Sequence, residues 1–362
     1  MNTRKPEGTL RKGWTTGACA SAAAAAAYQA LLGQGFPDPV TIRLPNGLLP
    51  SFTLSRQQTG DTWAMAGIIK DAGDDPDVTH GAEVISRVEH GTPGQGLQFL
   101  AGDGVGTVTL PGLPLAVGNA AINPGPRQMI ADNLRPIAER QGEELDLNIT
   151  ISIPGGEEIA LKTMNGRLGI KGGLSVLGTT GIVVPYSCAS WINSIHRGID
   201  VARATGLTHI AAATGSTSEA AIKALLDLPE TALIDMGDFA GGLLKYLRKS
   251  PVPHLTLAGG FGKLSKLAQG HLDLHSSRSR VDMQDLANIA AQAGADMATS
   301  ERIADANTAM EALQIATDSE IPLAMSIAGR ARSTAMAALA GDTNVNVTIF
   351  DRSGNLVART GA

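Results

Sequence analysis

The chain has 362 residues, a formal net charge of −5 and an apolar fraction of 43 %; single cores seldom grow past ~250–300 residues, so more than one domain is expected. Its 43 glycines exceed the usual share of ~7 %, but they lack the every-third-position repeat of collagen, and long apolar-periodic segments exclude wholesale disorder. The negative charge and the short supply of rings (3 Trp, 3 Tyr, 6 Phe) argue against a nucleic-acid coat protein, and Cys19 and Cys188 make neither a disulfide framework nor a zinc motif, so the cytoplasm is the expected compartment.

Arg4, Lys5, Arg11 and Lys12 precede an alanine-rich run from Ala18 to Leu32 that imitates a signal peptide. Alanine is a weak hydrophobe and the best helix former, so the run is read as a buried helix, with Thr15 or Thr16 as N-cap and Gly33 just past its end. No stretch holds the ~20 strongly apolar residues of a membrane span. Strands are predicted at Val40–Leu44, Ser51–Leu54, Trp63–Ile69, Ala82–Val88, Leu97–Leu100 and Thr107–Leu110, joined as antiparallel hairpins because no helix separates them. A helix begins beyond Pro126, with Pro136 a kink, and Leu145–Ile153 alternates as a strand. Residues 1–153 therefore read as an α+β sandwich, strands backed by two helices.

Residues 154–185 are crowded with glycine and read as a junction. From 186 to 362 helices and strands alternate: helix Ser190–Ala204, strand Thr208–Ala213, helix Ser216–Leu226, strand Ala232–Asp235, helix Phe239–Arg248, strand Leu255–Ala258 and helix Lys263–Leu267. That alternation predicts a parallel, doubly wound sheet. Three helical stretches (282–294, 301–317, 323–340) and a hairpin of Val345–Phe350 with Leu356–Arg359 complete the chain. The fold class is α/β.

Ligands of a doubly wound sheet bind outside the carboxyl ends of its strands. Three turns stand there: Thr214-Gly215-Ser216-Thr217-Ser218, Met236-Gly237-Asp238 and Gly259-Gly260-Phe261-Gly262-Lys263. Each follows a strand and opens a helix, where free N–H groups favour anions. Asp235 ends its strand where a nucleotide site keeps a carboxylate for ribose hydroxyls; an aspartate capping a helix is the alternative. Gly259–Lys263 fails as a P-loop, since Leu257 and Leu264 stand where glycine and Ser/Thr belong. Gly102-Asp103-Gly104-Val105-Gly106 is followed by a strand and reads as a hairpin turn. The acidic run from Asp71 to Thr79 either caps its own backbone or presents a carboxylate to a cationic ligand. His271 and His275 could share a helix face, but without a supporting Glu or Cys no metal site is expected.

Taken together, five segments resemble one family. Gly13-Trp14-Thr15-Thr16-Gly17-Ala18-Cys19-Ala20, Lys70–Thr79, Ile122-Asn123-Pro124-Gly125-Pro126-Arg127, Gly172–Val183 and Phe261-Gly262-Lys263-Leu264, with His275-Ser276, look like the CbiD family of cobalamin biosynthesis, the cobalt-precorrin-5B C1-methyltransferases. The likeness spans nearly the whole chain. It departs at Gly260, where the family often carries His, and near Val184, where it often carries an acidic residue. The resemblance implies a two-layer α+β domain followed by a Rossmann-like three-layer α/β domain, and methyl transfer from S-adenosylmethionine to a polycarboxylate tetrapyrrole, with no nucleic acid or membrane partner and homo-oligomerisation left open.

On that footing Asp235 would take the ribose hydroxyls of the donor, with Gly215, Ser216, Gly237 and Asp238 lining the adenosine. Arg127, Arg167, Lys171, Thr179, Thr180 and Lys263 would hold substrate carboxylates, exposed solubilising charge being the alternative for the cations. No catalytic residue is carried over from the family; Asp74, Asp75 and Thr16 are the candidates. Two other functions compete: an NAD(P)-dependent oxidoreductase, which the poor glycine fingerprint disfavours, and a non-catalytic corrinoid carrier without affinity for the methyl donor.

Overall fold

The structure is a computed structural model that describes residues 8–361; Arg4 and Lys5 lie outside the described residues. The chain forms two compact units, Met1–Cys188 and Ala189–Ala362. The first contains, in order, β1 (Gly13–Trp14), α1 (Thr16–Leu31), β2 (Val40–Thr41), β3 (Ser51–Phe52), β4 (Arg56–Thr59), β5 (Trp63–Ile69) and β6 (Glu83–His90). It continues with β7 (Gln98–Ala101), β8 (Thr107–Val108), α2 (Pro124–Gln141), β9 (Leu147–Ser152), α3 (Gly156–Ala160), β10 (Ile170–Lys171) and β11 (Ile182–Val183).

The alanine-rich run is the centre of this unit. Every residue of α1 from Thr16 to Tyr28 is buried, because β5 and β6 lie on one flank and α2 on another. Ser86 Oγ on β6 donates to Ala20 O at 2.9 Å, and Ser21 Oγ donates to Met129 O on α2 at 3.2 Å. A helix apolar on all sides must be covered on all sides. Small side chains let both neighbours approach closely, which explains alanine here instead of leucine. Thr15 is the N-cap, its Oγ1 accepting from Ala18 N at 3.1 Å, and Gly33 follows the helix at φ +77°.

The sheet of this unit runs in the order β4-β5-β6-β9-β7. All pairs are antiparallel except β7 with β9, which is parallel. Hairpins throughout was therefore incorrect at β7: the chain between β7 and β9 contains α2 and is long enough for a crossover. The Gly102–Gly106 turn likewise joins no hairpin, since β8 pairs with β10 instead. Strand β4 escaped the sequence reading because its Arg-Gln-Gln-Thr is exposed at all four positions and shows no alternation. Residues 154–185 fall within the first unit, where they supply α3, β10 and β11.

The second unit begins along α4 (Cys188–Ala204) and continues through β12 (His209–Ala213), α5 (Ser216–Leu226), β13 (Leu233–Asp235), α6 (Ala240–Leu247), β14 (His254–Gly260) and α7 (Phe261–Ala268). Four helices follow: α8 (Met283–Gln292), α9 (Met297–Ala304), α10 (Ala309–Asp318) and α11 (Leu323–Leu339); β15 (Asn344–Phe350) and β16 (Leu356–Arg359) close the chain. The expected single helix at 301–317 is two, because Thr308 starts a new N-terminus by accepting from Glu311 N at 3.1 Å.

The sheet order is β13-β12-β14-β15-β16, parallel except for the final pair. Both five-stranded sheets of this α/β protein are thus mixed. Alternate residues sort to two faces. Ile210, Ala212, Leu255, Leu257, Val345 and Val347 join a core with α4, α6, α7 and α11, whereas Ala211, Ala213, Leu233, Ala258 and Phe350 meet Ile222 of α5. Successive strands β13 and β14 flank β12 on opposite sides, so the chain changes direction at β12. In doubly wound sheets ligands bind at such a reversal, outside the carboxyl ends of the strands, here those of β12 and β14.

Candidate functional site

Two clusters gather the residues singled out above, one in each unit. In the first unit, four of the resembling segments knit into a single knot. Trp14 N donates to Asp71 O (2.7 Å), Thr15 N to Gly181 O (3.0 Å), Gly17 N to Leu177 O (3.0 Å) and Asn123 N to Val176 O (3.0 Å), while β1 pairs with β11. Glycines mark the crossings. A Cβ on Gly13 would stand 2.0 Å from the Ala72 carbonyl carbon, one on Gly73 2.2 Å from Arg11 O, and one on Gly178 2.3 Å from Thr15.

The acidic loop closes this knot. Arg11 forms a two-pronged pair with Asp71 (2.5 and 2.9 Å), which together with the Gly73 N–H brings that carboxyl down to about 2. Lys70, 2 % exposed, donates to Asp77 at 2.5 Å. Burial pushes the Asp77 carboxyl up, but the Lys70 charge and hydrogen bonds from Lys70 and Thr79 outweigh it and hold it below the ordinary range. Asp74 accepts from Arg11 N (2.6 Å) and Asp75 from Tyr186 N (2.8 Å). Thr16, 2 % exposed, both donates to Leu177 O and accepts from Leu177 N, each at 3.1 Å. All three candidates for catalysis therefore have structural partners. Cys19 is fully buried and burial pushes its thiol up to about 12, far from a reactive thiolate.

The expected carboxylate holders divide. Arg127 is turned inward: Nε donates to Ile122 O at 2.7 Å, the guanidinium lies over Phe99, and burial pushes its pKa down. Lys171 on β10, Thr179 and Thr180 are exposed, Thr180 Oγ1 bonding locally to residue 182; Arg167 is half-buried. In the second unit, Lys263 donates to Thr214 O at 2.7 Å and lies 3.1 Å from Asp238. It fastens the ends of β12 and β14 to the turn after β13.

That turn completes the second cluster. Met236 N and Gly237 N both donate to Ala213 O (3.0 and 3.2 Å), so Asp235, Gly237 and Asp238 lie beside Gly215 and Ser216 at the end of β12. A Cβ on Gly215 or Gly260 would meet nothing within 4 Å. Exposed backbone at the start of α5, a carboxylate at the end of β13 and open space at two glycines are what an anionic or hydroxyl-rich ligand requires. Sequence reasoning missed Trp191 here. Its indole Nε1 donates to Asp235 O at 3.1 Å, and its ring packs on Gly237, whose φ is +56° and where a Cβ would come within 3.2 Å of it. The signal was present: Trp191, Ile195, Ile199 and Ala202 form an i, i+4, i+8, i+11 stripe, of which Trp191 is the outermost member.

His271 and His275 share no helix face, since α7 ends at Ala268 and His275 Nδ1 meets Ser277 Oγ at 2.7 Å. Among the described residues no group of three or more His, Cys, Asp or Glu is placed to hold a metal ion, and no helix is long and apolar enough to cross a membrane.

A family model described as CbiD matches residues 3–185, and one described as CbiD, C-terminal domain, matches residues 273–361. The chain belongs to the CbiD family. A relative from Paramagnetospirillum magneticum is 58 % identical over 352 residues, covering 97 % of this chain and 98 % of its own, and is named cobalt-precorrin-5B C(1)-methyltransferase. A relative of the same name from Brucella anthropi is 56 % identical over 359 residues, covering 99 % and 98 %. The crystal structure of a cobalamin biosynthesis protein (cbiD) from Archaeoglobus fulgidus is 25 % identical and covers 70 % of this chain and 78 % of that one, with a TM-score of 0.39. Within this CbiD chain the knot lies inside the first matched stretch, and the strand-end cluster from Trp191 to Lys263 lies between the two.

Proposed function

We propose that this CbiD chain is a cytoplasmic methyltransferase that moves a methyl group from S-adenosylmethionine to C1 of cobalt-precorrin-5B in cobalamin biosynthesis. The observation that carries this reading is identity of 56–58 % over essentially the full length of relatives bearing that name. The order β13-β12-β14-β15 with helices on both faces supports reading the second unit as a Rossmann-like three-layer domain and the first as an α+β layer pair.

The strand-end cluster suits an adenosine. Asp235 is the acceptor for ribose hydroxyls, the open backbone at Gly215 borders the nucleoside together with Ser216 and Gly237, and the Lys263–Asp238 pair fixes the three turns relative to one another. S-adenosylmethionine, when bound, supplies a methyl on a sulfonium already primed as a leaving group. The chain's task is then alignment, which can contribute ~7–11 kcal/mol without any catalytic triad. A tetrapyrrole with many carboxylates calls for cations and exposed hydroxyls, for which Lys171, Thr179 and Thr180 remain available; Arg127 and Lys263 instead hold main-chain carbonyls.

The test is transfer of an isotope-labelled methyl from S-adenosylmethionine to cobalt-precorrin-5B by the purified protein. Labelled corrinoid is the expected product. Corrinoid binding with no affinity for S-adenosylmethionine would make the protein a carrier, and a nicotinamide absorbance change with substrate would make it an oxidoreductase.

A further inference from the structure

We infer that Trp191 is the stacking platform for the adenine ring of the methyl donor. The inference rests on reading the strand-end cluster as the nucleoside site and adds a ring-recognition residue to it. Of the twelve aromatic residues in the chain, Trp191 is the one left exposed, at 45 %. An exposed indole usually lacks a fixed orientation. This one is placed by its Nε1–H to Asp235 O and lies where a Cβ on Gly237 would come within 3.2 Å of it. Phe239 lies 6.3 Å away at a 47° tilt and supports the same wall, with the Arg278 guanidinium 5.9 Å over Phe239.

The cause lies in the helix. The stripe Trp191, Ile195, Ile199 and Ala202 points α4 at the sheet; Ile195, Ile199 and Ala202 are buried in its core, whereas Trp191 projects past the end of β13. A large ring is therefore held against the main chain of Asp235, the residue assigned to the ribose, with part of its surface still open to solvent. Its hydrogen-bonding end is occupied by the Asp235 carbonyl, so what it offers a ligand is a π surface. Adenine, joined directly to the ribose that Asp235 would hold, is the flat ring the geometry places within reach. Aromatic stacking of a base amounts to about 1–3 kcal/mol on alanine substitution.

The experiment titrates the full-length protein with S-adenosylhomocysteine and with adenosine, followed by calorimetry and by tryptophan fluorescence. Wild type should bind both and change its emission; W191F should keep affinity within about threefold and lose most of that change. W191A and W191L should each weaken both ligands about tenfold or more. W191L keeps apolar bulk without a ring, and thermal melting of each variant separates lost binding from lost folding. Wild-type affinity in a folded W191L overturns the platform. If D235A weakens S-adenosylhomocysteine while W191A and W191L do not, the platform alone fails and the nucleoside site stands. If wild type binds S-adenosylhomocysteine and all three variants bind equally well, the reading of the site fails with it. Loss of cobalt-precorrin-5B affinity in W191L with donor affinity intact would instead assign the ring to the macrocycle.

Discussion

The knot of the first unit and the strand ends of the second draw on the same residue types, glycine with short polar side chains, and use them in opposite ways. In the knot a glycine marks a place where another part of the chain already fills the Cβ position, as backbone does at Gly13 and Gly73 and a side chain does at Gly178. Its carboxylates and hydroxyls are likewise engaged with neighbouring chain: Asp71 with Arg11, Asp77 with Lys70, Thr16 with Leu177. At the strand ends Gly215 and Gly260 face open space, and the first turn of α5 has no side-chain cap. Glycine thus permits closure at Gly13, Gly73 and Gly178 and access at Gly215 and Gly260, while their neighbours Gly237 and Gly259 are closed over by Trp191 and Thr214. A motif's distinctness in sequence therefore reports how tightly the chain is packed there as readily as it reports chemistry.

Substitutions can break this contrast, and the largest effect belongs to the knot. G13A forces a Cβ onto the Ala72 backbone and should destabilise the protein by about 3 kcal/mol or more, read from urea unfolding. K70A leaves the part-buried Asp77 without its counter-charge and should cost about 3 kcal/mol in the same assay. D235A should weaken S-adenosylhomocysteine binding at least tenfold by calorimetry, in protein that melting shows to be folded. T16V should do the reverse, lowering stability by about 1–2 kcal/mol through the lost pair of bonds to residue 177, with donor affinity unchanged. If T16V abolished donor binding in a folded protein, the knot would be a site and the contrast would fall.

Acid provides the smallest and broadest test. Asp71 is held at about 2, the Arg11 hydrogen bond being the main cause, and Asp77 is also lowered. A depressed carboxyl contributes stability that is complete above the unfolded value of ~3.9 and is lost as pH falls through the folded one. Melting temperature should therefore fall between about pH 4 and pH 2, and D71N should flatten that fall.

Much of this architecture is legible in the sequence. Trp63–Ile69 and Ser216–Leu226 occupy the predicted spans, because a seven-residue strand core and a glycine-preceded amphipathic helix carry their periods locally. β4 was invisible, because an exposed edge strand needs no apolar alternation. The parallel setting of β7 was invisible too, because pairing direction depends on where a crossover of some forty residues returns. Strand-end logic puts Asp235, Gly237 and Gly215 at the ends of β12 and β13, but it does not reach Trp191, since its neighbour Asp235 is 44 residues distant in sequence.

The sequence by itself determined the elements that carry a clear apolar period, the buried alanine helix and, through five ordered segments, the family. Those features are written in local periodicity and residue identity. Tertiary structure alone decided that Thr16, Asp74 and Asp75 hold loops together, that Arg127 and Lys263 turn onto carbonyls, and that an indole stands exposed beside Asp235. The reason is physical: whether a polar or aromatic side chain is available depends on which distant atoms reach it first, and hydrogen bonds across 161 residues, such as that between Thr16 and Leu177, leave no local trace.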